Sequence, residues 1–137
     1  MARLRSNVEE LEAELAEDGT EIPISIVYQK GAPRDGSRPL LLYGYGSYGY
    51  SMNATFNAER VSLLDRGFVF AIAHVRGGQE LGRDWYEQGR VLAKRNTFTD
   101  FIDATEYLLE TGWSHRGGVI ARGGSAGGLL MGVVAND

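Results

Sequence analysis

The chain contains no cysteine, which excludes a disulfide framework, thiolate catalysis and a cysteine-ligated metal site. Histidine is almost as scarce: His74 and His115 stand in separate segments without metal-binding spacing, so no metal and no cofactor is expected. No window approaches the ~18 apolar residues of a membrane span. Met1-Ala2-Arg3-Leu4-Arg5 leads into acidic residues rather than the apolar stretch of a signal peptide. These absences point to a cytoplasmic protein with no membrane partner. Basic charge is short as well, with 14 Lys and Arg against 18 Asp and Glu and a formal net charge of −4. Without a basic stripe, nucleic acid is not the expected partner.

What is abundant is glycine, at 19 of 137 residues, in a chain that is 43% hydrophobic and 23% charged. That length suits one domain burying roughly two-thirds of its unfolded surface. Near the start, Ser6-Asn7-Val8-Glu9 reads as a helix capping box, with Val8, Leu11 and Leu15 on one helical face. The turn dipeptide Asp18-Gly19, flanked by Ala13-Glu14-Leu15-Ala16 and Ile22-Pro23-Ile24-Ser25-Ile26-Val27-Tyr28, argues more strongly for a hairpin with strands on both sides. Residues 31–38 form a polar Gly/Pro loop.

Two continuous apolar runs follow, residues 39–43 and 68–73, each patterned like a strand buried on both faces of a sheet. Between them, residues 57–66 predict a short amphipathic helix with Val61, Leu63 and Leu64 apolar and Gly67 closing it. The strongest helical period comes after Asn96-Thr97, where Phe98, Phe101, Ile102, Thr105, Leu108 and Leu109 recur at three and four. Thr97-x-x-Asp100 reads as its capping box and Gly112 as its end. A short strand at residues 118–121 and a small-residue helix at 126–135, able to be buried, complete the chain. The alternation predicts an α/β fold with a mostly parallel sheet, opened by an antiparallel hairpin.

The corner between that last strand and helix is Gly123-Gly124-Ser125-Ala126-Gly127-Gly128, which fits G-x-S-x-G, the turn that lifts a serine nucleophile out of a strand-to-helix bend. Side chains two residues either side of the serine would collide with the neighbouring strand and helix. A glycine-rich turn with an idle serine is the competing reading. The loop Gly44-Tyr45-Gly46 leaves a neighbouring strand end, where a tyrosine hydroxyl can serve as an oxyanion donor, or the glycines can be plain turn chemistry. Gly77-Gly78-Gln79-Glu80-Leu81-Gly82 lacks the Lys-Ser/Thr of a phosphate loop and reads as a structural turn. His74 reads as a hydrogen-bonded structural histidine, His115 as a solvated one, and Asp137 sits too close to the serine's own helix to be its acid.

Taken together, three stretches resemble the prolyl oligopeptidase family of serine peptidases, and within it the oligopeptidase B branch. They are Leu40-Leu41-Leu42-Tyr43-Gly44-Tyr45-Gly46-Ser47-Tyr48-Gly49, the segment from Leu63-Leu64-Asp65-Arg66-Gly67 through His74-Val75-Arg76-Gly77-Gly78, and the serine turn. Glu80-Leu81-Gly82-Arg83 and Lys94-Arg95-Asn96-Thr97-Phe98 match as well. The resemblance implies a partial α/β-hydrolase fold, with residues 1–10 an N-terminal extension and 11–137 the N-terminal half of a peptidase domain. It implies Ser125 as nucleophile, with the Ala126 backbone N–H and the Tyr45 hydroxyl as the oxyanion hole. The substrate it implies is a short peptide, cleaved after Lys or Arg.

The family's triad aspartate and histidine follow the serine, and residues 126–137 supply neither, so residues 1–137 alone are expected to be inactive. Some members also carry acidic residues after the Tyr-Gly loop, whereas Ser51-Met52-Asn53-Ala54-Thr55-Phe56 has no carboxylate, which weakens a preference for paired basic residues. Two other readings stand beside the peptidase. One is an esterase on the same fold, disfavoured by Tyr43-Gly44-Tyr45-Gly46 where an H-G-G-G loop is common. The other is a non-catalytic fragment that associates with itself through an open sheet edge.

Overall fold

A computed structural model of the chain describes residues 7–55 and 57–136. The hairpin is present: β1 (Asn7–Leu15) and β2 (Glu21–Gln29) pair antiparallel from Leu15↔Glu21 to Asn7↔Gln29. Its turn rests on Gly19 at φ 83° and on Asp18, whose carboxylate accepts the Thr20 N–H at 3.0 Å. The helical reading of Val8, Leu11 and Leu15 therefore gives way to a strand. Pairing along all nine residues satisfies the backbone groups that face β2, while the opposite side of β1 is the edge of the sheet. The proposed cap residue Ser6 lies outside the described residues, and β1 runs without a break through residues 10 and 11.

β3 (Leu40–Tyr43), α1 (Ala58–Asp65) and β4 (Val69–Ala73) follow as the apolar runs require. The Asn57 side chain caps α1 by accepting the Glu59 N–H at 2.8 Å, and Gly67 lies just past its end. After β4 come α2 (Arg83–Glu87), α3 (Arg95–Glu110), β5 (Val119–Arg122) and α4 (Ala126–Val134). The five strands lie in the order β1-β2-β4-β3-β5. β4, β3 and β5 are mutually parallel, and β2 joins them antiparallel along Ile24↔Ala73 to Val27↔Phe70.

Period-two alternation divides the core between the faces of this sheet. Ile24, Ile26, Leu40, Leu42 and Ala71 meet Phe101, Ala104 and Leu108 of α3 and Leu130 of α4 on one side. Leu41, Phe70 and Ile72 meet Leu63 of α1 on the other. Helices on both faces make a three-layer α/β arrangement.

Three local expectations change. α3 starts at Arg95, earlier than the Thr97 capping box requires, and has no side-chain cap. Thr97 and Asp100 are fully buried and bond outside the helix, Thr97 Oγ1 donating to the Arg76 carbonyl at 2.6 Å and Asp100 accepting from Arg76. Tertiary partners thus displace the local cap. α2 has no counterpart in the sequence reading, since five residues show no apolar period; it forms around Trp85, which packs on Ala16 and Ile22 and donates from Nε1 to the His74 carbonyl at 3.1 Å. Finally, α4 is covered on one face only: Leu130 is buried while Leu129 is 59% exposed.

Candidate active site

β5 delivers the chain into the serine turn and α4 carries it away. At the corner Ser125 adopts φ 55°, ψ −120°, a left-handed backbone that a non-glycine residue holds only under strain. Its side chain is exposed and makes no capping bond to its own helix. The flanking glycines are there for space. A Cβ on Gly123 would stand 2.5 Å from the Gly127 carbonyl oxygen, and one on Gly127 would stand 3.0 Å from the Gly44 carbonyl oxygen. Gly124 and Gly128 meet nothing within 4 Å. Steric demand thus falls on the two glycines of the motif and spares the others. Ala126 opens α4, so its N–H has no intrahelical acceptor and points from the positive end of the helix dipole.

The contact at Gly44 brings in the second loop. β3 lies beside β5, and where it ends the Gly44 N–H donates to the Arg122 carbonyl at 3.1 Å. Tyr45 follows, half-buried, with Cδ2 at 3.4 Å from where a Gly127 Cβ would be. Its ring is met edge-on by Tyr50, centroids 6.2 Å apart. Ser125, Ala126 and Tyr45, singled out from the sequence, therefore stand on two neighbouring segments joined by the Gly44–Arg122 hydrogen bond.

The histidines are engaged elsewhere. His74 is buried and its Nε2 lies 2.7 Å from Ser25 Oγ, while burial lowers its pKa. His115 is exposed, with Nδ1 2.8 Å from the Gly36 carbonyl. The structural reading of His74 and the surface reading of His115 both hold.

Sequence reasoning missed two charged residues. Residues 51–54 lack a carboxylate of their own, but the fold supplies one: Glu80 Oε1 accepts the Met52 N–H at 3.0 Å and lines a cavity of about 280 Å³ with Pro23, Ser51, Asn53 and His74. Burial pushes the Glu80 carboxyl up to about 7. A carboxyl raised in the folded state stabilises below its unfolded value near 4.5, and that contribution is lost as pH rises towards 7. Glu80→Gln, which keeps an acceptor for Met52, is expected to raise the unfolding temperature at pH 8, leave it unchanged at pH 4, and flatten the profile between. Differential scanning calorimetry across that range checks it. The second missed residue is Lys94, whose Nζ donates to the Gly46 carbonyl at 2.5 Å and to Ser47 Oγ at 2.8 Å.

Among the described residues no group of His, Asp or Glu is placed to hold a metal, and no helix is long and apolar enough to cross a membrane.

Residues 54–137 match the prolyl oligopeptidase family. The chain belongs to that family. Dipeptidyl aminopeptidase BI of Pseudoxanthomonas mexicana is 58% identical over 122 residues, covering 88% of this chain and 17% of that protein. Protease 2 of Moraxella lacunata is 52% identical over 118 residues, covering 86% and 17%. Among solved structures, oligopeptidase B from Leishmania major superposes with a TM-score of 0.92 at 48% identity, covering 96% of this chain and 18% of that one. Oligopeptidase B from Trypanosoma brucei, in a closed form with covalently bound antipain, gives 0.92 at 47%, covering 96% and 19%. The chain spans about 17% of the length of the curated relatives it matches. Within the prolyl oligopeptidase family this segment carries part of the α/β-hydrolase fold, with the five-stranded sheet and the serine turn described above.

Proposed function

We propose that this segment carries the nucleophile and oxyanion hole of a serine oligopeptidase of the oligopeptidase B type. Ser125 Oγ gives up its proton to a general base as it attacks the scissile carbonyl carbon, and the carbonyl oxygen takes up the negative charge; the base later passes that proton to the leaving amine. The Ala126 N–H and the Tyr45 hydroxyl donate to that oxyanion. Collapse breaks the C–N bond, the amine leaves with a proton, and water hydrolyses the acyl ester to restore the Ser125 hydroxyl. The observation that carries this reading is the strained, exposed Ser125 at a strand-to-helix corner, with the Tyr45 loop packed on both motif glycines. The base is assigned to neither His74 nor His115, because among the described residues neither ring hydrogen-bonds Ser125: His74 meets Ser25 and His115 meets the Gly36 carbonyl. Residues 1–137 alone are accordingly inactive in this reading.

The substrate is a short peptide cut after Lys or Arg, a preference supported by the likeness to two oligopeptidase B structures at 48% and 47% identity. The test uses the natural gene product that carries this sequence. A fluorophosphonate is expected to add one phosphonyl group to the Ser125 peptide by mass spectrometry. Substrates ending in Lys or Arg are expected to be cleaved at least ~100-fold faster, by kcat/KM, than matched Pro-ended ones. Labelling at another serine overturns the site, and faster Pro cleavage overturns the specificity.

A further inference from the structure

Lys94 stands where local physics does not favour a lysine. It is the N-cap of α3, the positive end of a helix dipole, and is half-buried. Burial pulls its pKa down, and no carboxylate pairs with it among the described residues. A residue that breaks a local rule points to a gain made elsewhere. Here the gain lies across the structure, in the loop after β3, where Lys94 Nζ bonds the Gly46 carbonyl and Ser47 Oγ.

That loop needs outside support. Gly46, Tyr48 and Gly49 all have positive φ, at 65°, 56° and 64°. The buried Gly46 carbonyl depends on Lys94, because the Thr97 hydroxyl, 3.4 Å away, is committed at 2.6 Å to the Arg76 carbonyl. Tyr45 is thus held on both sides. Gly44 is fixed against the serine turn through Arg122, and Gly46 is fixed by the lysine.

We propose that Lys94 is a positioning residue for catalysis: its ammonium clamps the Gly46–Ser47 backbone so that the Tyr45 hydroxyl is aimed at the oxyanion formed at Ser125. This rests on the oxyanion role proposed for Tyr45. Loss of the clamp misplaces the hydroxyl without removing it, and a misplacement on the order of 1 Å is enough to slow turnover by up to ~100-fold.

The experiment is a double-mutant cycle in the natural gene product, reading kcat, KM and unfolding temperature for Lys94→Met, Tyr45→Phe and the pair, with Lys94→Arg as the conservative variant. Tyr45→Phe is expected to lower kcat by about 100-fold. Lys94→Met is expected to lower it by roughly 10- to 100-fold with KM changed less than about threefold, and Lys94→Arg to recover most of the loss. In the Tyr45→Phe background, Lys94→Met should lower kcat by no more than about twofold further, although its effect on unfolding temperature persists. If Lys94→Met lowers kcat by the same factor in both backgrounds, or not at all, the positioning role is overturned while the oxyanion hole stands. If Tyr45→Phe turns over like the unsubstituted protein, the oxyanion role of Tyr45 falls, and the role of Lys94 with it.

Discussion

Replacing Ser125 by alanine and by glycine is expected to abolish hydrolysis equally, by a factor on the order of 10⁶ in kcat, yet to leave two proteins of different stability. Both substitutions remove Oγ, the only atom that can form the acyl ester. They differ in the backbone. At φ 55°, ψ −120° any residue with a Cβ is strained, so alanine keeps the strain that serine bears. Glycine relieves about 1–3 kcal/mol of it. Against this stands about 0.5–1 kcal/mol for the greater freedom of glycine in the unfolded chain. The Ser125→Gly protein is therefore expected to be about 0–2.5 kcal/mol more stable than the Ser125→Ala protein in urea titrations at equal m-value. A Ser125→Gly protein less stable than Ser125→Ala by about 0.5–1 kcal/mol, the unfolded-state cost of glycine alone, would show that the corner stores no strain and that the exposed Oγ is presented without backbone distortion.

That corner is also the part of the fold most open to reading from sequence. Gly123 and Gly127 announce it because one demand is local, a Cβ on Gly123 colliding with the carbonyl oxygen of Gly127 four residues on. The buried strands β3 and β4 are equally plain, as short apolar runs, one followed by Gly44 and the other preceded by Gly67. The hairpin shows itself through Asp18-Gly19, since Gly19 takes a left-handed φ that few other residues accept. What escapes is every interaction whose partners are distant in sequence and show no periodicity. Glu80 meets Met52 across 28 positions, Arg76 meets Asp100 across 24, and Lys94 meets Gly46 across 48. The same physics moved the start of α3: Thr97 and Asp100 match a capping box in type and spacing, but the loop after β4 presses on that turn and takes both side chains. Nothing in the local pattern of residues 83–87 marks a helix either, because Trp85 is held by Ile22 and the His74 carbonyl rather than by its neighbours.

The stability of the assembly turns on one of those distant pairs. Asp100→Ala is expected to destabilise the protein by about 3–5 kcal/mol, whereas Asp18→Ala costs about 0–1 kcal/mol, although both carboxylates contact the same guanidinium. Arg76 is 2% exposed. It gives Asp100 its backbone N–H at 2.9 Å, its Nε at 2.9 Å and its Nη2 at 2.6 Å, and gives Asp18 its Nη1 at 2.6 Å. The Asp100 side chain is fully buried while that of Asp18 is 48% exposed. Burial raises the Asp100 carboxyl, and the bonds to Asp100 raise the Arg76 guanidinium, so each makes the charge of the other tolerable. Removing Asp100 leaves a buried guanidinium with only the half-exposed Asp18 and takes the acceptor from a backbone N–H; removing Asp18 uncovers a donor that water can reach. Asp100→Asn, which keeps an acceptor for the Arg76 N–H, is expected to fall between the two. Acid titration separates the pair further. The Arg76 bond holds the Asp18 carboxyl near 2, so its contribution is complete above its unfolded value of 3.8 and is lost only as pH falls towards 2. The consequence reaches the site, because the Arg76 carbonyl accepts from Thr97 and the adjoining Gly77 carbonyl accepts the Gly49 N–H at 3.0 Å. Asp100→Ala should therefore lower kcat even at temperatures where the protein remains folded. A loss below about 1 kcal/mol in chemical denaturation would mean that Arg76 finds other partners and that the segment after β4 is held by packing alone.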